Sequence, residues 1–290
     1  MKKSILILLI LIVGLNAQEA LNKNLYLSSK KVKNANTFLL TLNEKDIQNP
    51  KLTFDKHNIN FYKHPKNENS YYALVPVSYY KEFGTYRIIV SYIKNEKKVF
   101  KGLDIKVIDG KYKSETINVD KGKVSLTLKN KKRTKKEYES AMRVYNTSSE
   151  KLYLKEKTLY PLNSKITSSF GKKRVYNNTF KSYHSGTDYK AAIGTQIKAI
   201  NNGIVSISQN RFYAGNSIVI NHGQGIYSCY FHLSKMNFKN GDFVKKGEII
   251  GLSGRTGRVT GPHLHFAFRV HGIQVDPLQL IRLLNTNKLY

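Results

Sequence analysis

The sequence predicts a mainly β protein with three parts: a small N-terminal antiparallel β-sandwich, a connector with one helix, and a C-terminal domain built on an antiparallel β-sheet. The 290 residues leave room for about two domains. Short apolar or alternating runs, separated by turn residues, recur in both halves of the chain. In the C-terminal half most of these turns contain glycine, as is typical of an all-β domain with tight reversals.

Residues 18–110 are predicted to form the β-sandwich. The two longest runs are joined by the polar turn Lys94 to Lys97, which is a hairpin signal. The segment contains no group of residues that indicates catalysis. Its predicted strands are Asn24–Leu27, Phe38–Leu42, Lys51–Phe54, Tyr71–Val77, Tyr86–Ile93 and Lys98–Val107.

Residues 111–159 are predicted to be a connector with a strand at Val124–Leu128 and a helix from Lys135 to Tyr145. Tyr138, Ala141, Met142 and Tyr145 recur at helical spacing, and Thr134 with Glu137 has the spacing of a capping box. The apolar face must pack on something. Docking against a domain is the simpler interpretation, and an arm over a catalytic groove is the alternative.

Residues 160–290 are predicted to be the C-terminal β-domain. Only Pro277–Leu284 in this part has a helical pattern. The predicted strands are Gln196–Ile200, Ile204–Ser208, Ser217–Asn221, Tyr227–Phe231, a short one at Phe243, Ile249–Leu252 and His265–Val270.

The N-terminus is typical of a secretory signal peptide over residues 1–17. Two lysines precede an apolar run, and Leu15-Asn16-Ala17 approximates a small-residue cleavage site. The run is shorter than the roughly 20 residues that span a bilayer. We therefore expect cleavage after Ala17, a mature chain without a stable transmembrane segment, and a periplasmic location.

The chain is strongly basic, with 49 Lys and Arg against 19 Asp and Glu, a formal net charge of +30. Such a balance favours an anionic partner. Nucleic acid is the obvious alternative, but the signal peptide opposes it, and only 9 of the basic residues are Arg, the residue on which base-reading surfaces depend. No nucleic-acid partner is expected, and the sequence indicates no particular protein partner.

One cysteine, Cys229, excludes an intramolecular disulfide and any metal site that needs two thiolates. A metal would have to be held by histidine and carboxylate. Six of the 8 histidines fall between His184 and His271. Hydrolytic zinc sites use three such ligands and leave a fourth position for water.

His184 with Asp188, together with one residue of the His263 and His265 pair, supplies that ligand set. Residues two apart on a strand face the same side, so His263 and His265 can both face one cavity. Spacing leaves open which of them binds metal and which works on substrate. A third histidine, His232, lies in an apolar strand.

At these residues the sequence resembles the lysostaphin/LytM-type zinc endopeptidases over about residues 161–280. Some members use a tyrosine upstream of the first zinc histidine, for which Tyr176 and Tyr183 are both candidates. The resemblance is carried by Phe170-Gly171, His184-Ser-Gly-Thr-Asp188, Gly194-Thr195, Gly215-Asn216, Asn221-His-Gly223, Tyr230-Phe-His232-Leu233, Gly241-Asp242, Thr256-Gly257 and Thr260-Gly-Pro-His-Leu-His265.

The resemblance implies one zinc ion per chain, with His184, Asp188 and His265 as ligands. It implies His232 and His263 as the catalytic histidines, which orient or deprotonate water and stabilise the oxyanion or protonate the leaving amine, without assigning these roles between them. Cys229 lies within a strand-like apolar run and Ser185 has no separate triad acid, so neither is interpreted as a nucleophile. His222, beside Gly223, is interpreted as a ring bonded to nearby backbone.

The implied function is an exported zinc metalloendopeptidase that hydrolyses peptide cross-links in the peptidoglycan sacculus. The expected bond joins D-Ala to meso-diaminopimelate, with D,D-carboxypeptidase activity as an accompanying possibility. The alternative is a non-catalytic LytM-fold activator or cell-wall-binding module. Such degenerate proteins lose zinc ligands, whereas His184, Asp188 and His265 are all present.

Overall fold

The structure is a computed structural model that describes residues 23–117, 126–176 and 180–290. The predicted signal peptide, residues 1–17, lies outside the described residues. The chain divides into two compact units. Within the described residues, the first comprises 23–32, 38–75 and 83–107, and the second comprises 33–37, 76–82 and the chain from 108 onward. None of the described helices is long and apolar enough to cross a membrane.

The first unit is formed by two antiparallel sheets. One has the strand order β1-β3-β7-β6 and the other the order β2-β9-β8-β4-β5. The strands, whose ends extend a few residues into the second unit, are β1 (Leu25–Leu27), β2 (Lys31–Lys33), β3 (Thr37–Asn43), β4 (Gln48–Phe54), β5 (His57–Asn60), β6 (Tyr62–His64), β7 (Asn67–Pro76), β8 (Gly84–Lys94) and β9 (Lys97–Ile108).

The two sheets pack face to face, as the alternation of apolar residues requires. Phe38 of β3 and Phe54 of β4 meet edge to face with ring centroids 5.6 Å apart, a favoured aromatic geometry. Lys94 pairs with Lys97 at the end of the long β8–β9 hairpin. The predicted sandwich and its hairpin are therefore confirmed.

The second unit contains a ten-stranded antiparallel sheet whose main path is β11-β14-β21-β18-β17-β16-β19. Strands β18 and β21 lie at its centre. The strands of the unit are β10 (Ser114–Ile117), β11 (Ile166–Ser168), β12 (Lys173–Tyr176), β13 (Phe180–Tyr183), β14 (Thr187–Lys190), β15 (Gln196–Lys198), β16 (Gly203–Arg211), β17 (Gly215–Asn221), β18 (Ile226–Met236), β19 (Phe243–Val244), β20 (Ile249–Ser253), β21 (His263–Val270) and β22 (Ile273–Val275).

A separate three-stranded sheet joins the connector to the C-terminal part. Strand β10 pairs in parallel with β12, and β12 pairs with β13 in antiparallel fashion. Strand β10 belongs to the predicted connector, where no strand was expected at this place. The connector is thus not only a helical link, because it adds a strand beside the segment that leads to His184.

The connector helix α1 spans Leu128–Tyr145 and is longer than predicted. The strand predicted at Val124–Leu128 is wrong for residues 126–128, and residues 124 and 125 lie outside the described part. Thr127 is the N-cap, and its side chain accepts a hydrogen bond from the Asn130 amide. The predicted capping box is wrong: the Thr134 hydroxyl donates to the Lys131 carbonyl, and the Glu137 carboxylate accepts from the Phe212 amide at 2.9 Å.

Helix α1 docks on the large sheet through its second half. Ala141 and Tyr145 are buried in a core cluster with Val219, Tyr227 and Ala267, which confirms the simpler interpretation of its apolar face. A second helix, α2, spans Pro277–Thr286, close to the predicted position, and is capped by the Asp276 carboxylate.

Candidate metal centre and its neighbouring histidines

Two adjacent strands, β14 and β21, place Asp188 and His265 side by side. The two residues are direct cross-strand partners, so their side chains leave the sheet on the same face. Leu264 and Phe266, the neighbours of His265, are fully buried on the opposite face. The predicted alternation of β21 is therefore confirmed, and the His265 ring stacks on Phe231 of β18 with centroids 5.5 Å apart.

His184 lies just before β14 and is held by backbone on both sides. Its amide donates to the Lys172 carbonyl, and its own carbonyl accepts from the Gly171 amide. Its Nδ1 lies 2.8 Å from the Ser169 carbonyl oxygen. Because a carbonyl only accepts, Nδ1 carries the proton and Nε2 presents its lone pair to Asp188 and His265.

The three side chains form a compact triangle of donor atoms. His184 Nε2 lies 2.9 Å from Asp188 Oδ1 and 3.1 Å from His265 Nδ1, and His265 Nδ1 lies 2.8 Å from Asp188 Oδ1. Ligands of a tetrahedral zinc ion, with bonds of roughly 2.0–2.1 Å, lie about 3.3 Å apart. Because the observed distances are slightly shorter than this, a small outward movement of the side chains would fit them to an ion. All three residues are buried.

The protons available in this triangle do not satisfy its acceptors. His184 Nε2 and the Asp188 carboxylate both need a donor, and a neutral His265 offers one proton at Nδ1. Burial lowers the pKa of His265 to about 4, so this ring carries no second proton near neutral pH. Burial alone would raise the pKa of Asp188, but its close contacts with His184 and His265 hold it well below its usual range. An anionic carboxylate and an imidazole lone pair that share a single proton donor are suited to a divalent cation.

Two further histidines, His232 and His263, flank the triangle. Their ring centroids are 4.9 Å apart, and His263 Nε2 lies 3.6 Å from Asp188 Oδ1. His232 Nδ1 is 2.8 Å from the Thr256 carbonyl and His263 Nδ1 is 2.9 Å from the Gly261 carbonyl. Both rings are thereby fixed with a proton on Nδ1 and a lone pair on Nε2. Burial lowers the pKa of His232 to about 3, which keeps the ring neutral.

The backbone of His232 is unusual. Its φ is 64°, in the left-handed region that non-glycine residues rarely adopt. It lies where the register between β17 and β18 shifts, between the pairs Ile218 with Tyr230 and Asn216 with Leu233. An extra residue at such a bulge re-aims a side chain, and here His232 comes close to His263 and His265.

The remaining candidate side chains, among them His222, Cys229 and Tyr183, make contacts within the fold. His222 is fully buried, with Nδ1 2.7 Å from the Asn202 carbonyl, which confirms its interpretation. Cys229 is buried, and burial raises the pKa of its thiol, so it is a poor nucleophile. The Tyr183 hydroxyl donates to Gln274 Oε1 at 2.9 Å. The side chain of Tyr176 is outside the described part.

Comparison with known proteins matches residues 182–277 to the family described as Peptidase family M23. The C-terminal half of this chain contains an M23 peptidase domain. The matched range begins two residues before His184 and ends after His265, so the M23 domain contains the donor triangle and both flanking histidines. The resemblance stated from the sequence motifs is confirmed.

The M23 domain has similar relatives in Gram-negative bacteria. Peptidoglycan DD-endopeptidase ShyA of Vibrio cholerae is 44% identical over 123 residues, which cover 41% of this chain and 29% of the relative. DD-carboxypeptidase/endopeptidase Mpg of Neisseria meningitidis is 39% identical over 97 residues, or 33% of this chain and 22% of the relative. This chain thus spans less than a third of the length of these relatives.

A solved structure shares the fold over most of the chain. A Pseudomonas aeruginosa crystal structure, described as a candidate M23 peptidase, superposes with a TM-score of 0.62 at 22% identity. The match covers 82% of this chain and 92% of the other. The fold class predicted from the sequence is therefore confirmed.

A cleft of about 370 Å³ opens beside the donor triangle of the M23 domain. Asp188 and His263 line it, together with Glu115 and Arg174. Reasoning from the sequence missed both Glu115 and Arg174, because neither belongs to a motif. Both also lie outside the M23 match.

Gly186, between His184 and Asp188, lets the backbone lie close to the His265 ring and to the Phe266 carbonyl group. A Cβ atom at this position would lie 2.5 Å from His265 Nε2 and 2.6 Å from the Phe266 carbonyl oxygen. We expect Gly186→Ala to displace His265, to destabilise the fold by about 1–3 kcal/mol, and to lower metal affinity. Gly261→Ala is the matched control, because a Cβ there meets no atom within 4 Å. Metal content and thermal unfolding midpoints would test this, and equal behaviour of the two variants would contradict it.

Proposed function

We propose that this chain is an exported zinc metalloendopeptidase that hydrolyses peptide cross-links of peptidoglycan. The observation that carries the proposal is the buried triangle of His184, Asp188 and His265, with two histidines of fixed tautomer beside it. In this proposal the three residues of the triangle bind the metal, and His232 and His263 transfer protons.

Zinc suits this donor set and would be present once per chain. Two imidazoles and one carboxylate are a ligand combination of hydrolytic zinc sites. When bound, zinc would supply Lewis acidity toward water and toward the scissile carbonyl. The protein's own part is to hold the three donors within a few ångströms of each other and away from bulk water.

The flanking histidines can move the protons of amide hydrolysis. The Nε2 lone pair of His232 or His263 can accept the proton that water loses as it attacks the carbonyl carbon. The protonated ring can donate to the oxyanion, or return the proton to the leaving amine when the carbon–nitrogen bond breaks. The Thr256 and Gly261 carbonyls keep both rings oriented throughout.

The proposed substrate is the peptidoglycan sacculus, and the proposed bond joins D-Ala to meso-diaminopimelate. The names of ShyA, a DD-endopeptidase, and of Mpg, a DD-carboxypeptidase/endopeptidase, support this choice. Release of terminal D-Ala is the accompanying activity to test.

The proposed location is the periplasm, after removal of residues 1–17. The full sequence has a net charge of +30, and the mature chain, without Lys2 and Lys3, keeps +28. This charge would attract the chain to substrate carboxylates, an effect that salt weakens.

Digestion of purified sacculi tests the proposal. The zinc-loaded mature chain should release muropeptides whose masses identify the broken bond, while chain stripped of metal by a chelator should release none. If the zinc-loaded chain leaves sacculi intact but binds them, the non-catalytic alternative is supported instead. Release of disaccharides with uncut peptides would contradict the peptidase assignment.

A further inference from the structure

The carboxylate of Asp188 has two different neighbourhoods. Its Oδ1 atom faces His184 and His265 in the donor triangle. Its Oδ2 atom accepts a hydrogen bond from Arg174 Nη2 at 3.3 Å. The side chains of Asp188 and Arg174 are 9% and 15% exposed, so this contact is largely shielded from water.

Arg174 is itself held by a second carboxylate. Its Nε atom donates to Glu115 Oε1 at 2.7 Å, and Lys172 Nζ donates to the other oxygen of Glu115 at 2.8 Å. Glu115 lies on β10 and is the direct cross-strand partner of Arg174 on β12. The parallel pairing of these two strands therefore delivers a connector residue to the metal centre.

The contact fixes the orientation of the Asp188 carboxylate. The terminal torsion of an aspartate is broad, so an unrestrained carboxylate could tilt away from the other two donors. A donor fixed on Oδ2 removes this freedom. Hydrogen bonds to the outer atoms of metal ligands fix ligand orientation, and their loss weakens metal binding about 10- to 100-fold.

The charge of Arg174 needs compensation in this position. A guanidinium beside a divalent ion opposes metal binding by Coulomb repulsion. Glu115 pairs with Arg174 in a partly buried setting, with side chains 23% and 15% exposed, and makes the pair formally neutral. Arg174 can then donate to Asp188 at a smaller electrostatic cost to the ion.

We propose that Arg174 is a positioning residue that orients Asp188 for metal binding, and that Glu115 anchors Arg174 and cancels its charge. The connector strand β10 thus supplies a residue that supports the metal centre. The proposal rests on the zinc site of the proposed function. Both residues lie outside the matched range 182–277, so a definition of the catalytic unit by that range would omit them.

Zinc affinity of the full-length mature chain tests this inference without an activity assay. The dissociation constant is measured by competition with a chromophoric chelator. We expect Arg174→Gln and Glu115→Gln each to weaken zinc binding about 10-fold or more, and the double variant to equal Arg174→Gln, because Glu115 acts through Arg174. Arg174→Lys should recover part of the affinity, since an ammonium can still donate to Oδ2.

Lys172→Gln is the matched control, because Lys172 contacts Glu115, while the hydrogen bonds described for the Asp188 carboxylate come from other residues. We expect its zinc affinity to be unchanged or slightly higher. The direction of the change in zinc affinity separates two explanations. If the positive charge of these side chains alone mattered, removal of either Arg174 or Lys172 would tighten zinc binding. Unchanged or tighter binding in Arg174→Gln, or an equal loss in Lys172→Gln, would overturn the inference.

Two further measurements keep the outcomes separate. Thermal unfolding midpoints identify a variant that loses zinc because it fails to fold, and Arg174→Lys and Glu115→Gln then provide the comparison. If the unaltered chain binds zinc and the variants lose affinity while sacculi stay intact, the inference holds and the proposed activity fails. If sacculi are digested but zinc affinity is insensitive to Arg174, only the inference fails.

Discussion

Replacement of His265 by alanine is expected to abolish metal retention and sacculus hydrolysis together. The substitution removes one of three donor atoms that lie within 4.8 Å of each other. His184 and Asp188 remain, and two ligands do not complete the three-residue set that a hydrolytic zinc site uses. Metal content after dialysis should fall from about one zinc per chain to near zero, and muropeptide release should stop.

His265→Gln serves as a second variant, because it fills more of the space against Phe231 than alanine does. Unfolding midpoints of both variants are compared with metal-free unaltered chain, since bound metal stabilises the folded state. Full zinc retention by both variants would show that His265 is not a ligand.

Replacement of His263 by alanine is expected to separate chemistry from metal binding. His263 Nε2 lies 3.6 Å from Asp188 Oδ1, outside the triangle, while its Nδ1 is held by the Gly261 carbonyl. Loss of a general acid or base typically lowers turnover about 10²- to 10⁴-fold. The variant should therefore keep its zinc and lose most of its turnover on sacculi, as measured by mass-identified muropeptides.

His57→Ala is the control for this experiment, because His57 is an exposed histidine of β5 in the first unit. It should retain both zinc and turnover. Equal zinc loss in His263→Ala and His265→Ala would reverse the assignment of ligand and catalytic histidine.

Most strands of the large sheet could be predicted because their signals are local, whereas the short strands β11, β14 and β22 were not predicted. Apolar runs such as Ile218 to Ile220, bounded by glycine turns, carry the pattern of a buried strand. Strands β10, β12 and β13 could not be predicted in this way. Their sequences are short and largely polar, and they exist through pairing with segments distant in the chain.

The beginning of helix α1 was missed for a related reason. Its first turns consist mainly of exposed lysines and lack an apolar stripe, so periodicity detects only the half that docks. The predicted cap was Thr134, and the residue that caps the helix is Thr127. Helix propensity and the Thr127 cap extend the element beyond its packed part.

The candidate site was predictable in composition but not in detail. A spacing of two places His263 and His265 on one face, and no spacing rule chooses between them. In the structure the two residues differ in register, because Asp188 pairs with His265 whereas His263 pairs with Lys190. Register between strands far apart in the sequence is a tertiary property, so the resemblance to a family had to supply this choice.

The left-handed backbone of His232 has a thermodynamic consequence. Such a conformation costs a residue with a Cβ atom roughly 1–2 kcal/mol, which is a noticeable fraction of the net stability of a typical domain. Glycine would relax the backbone at this position but would remove the imidazole. The domain thus accepts a strained backbone at residue 232, which keeps the imidazole in place. Selection for greater folding stability alone would favour glycine at this position and would remove the imidazole.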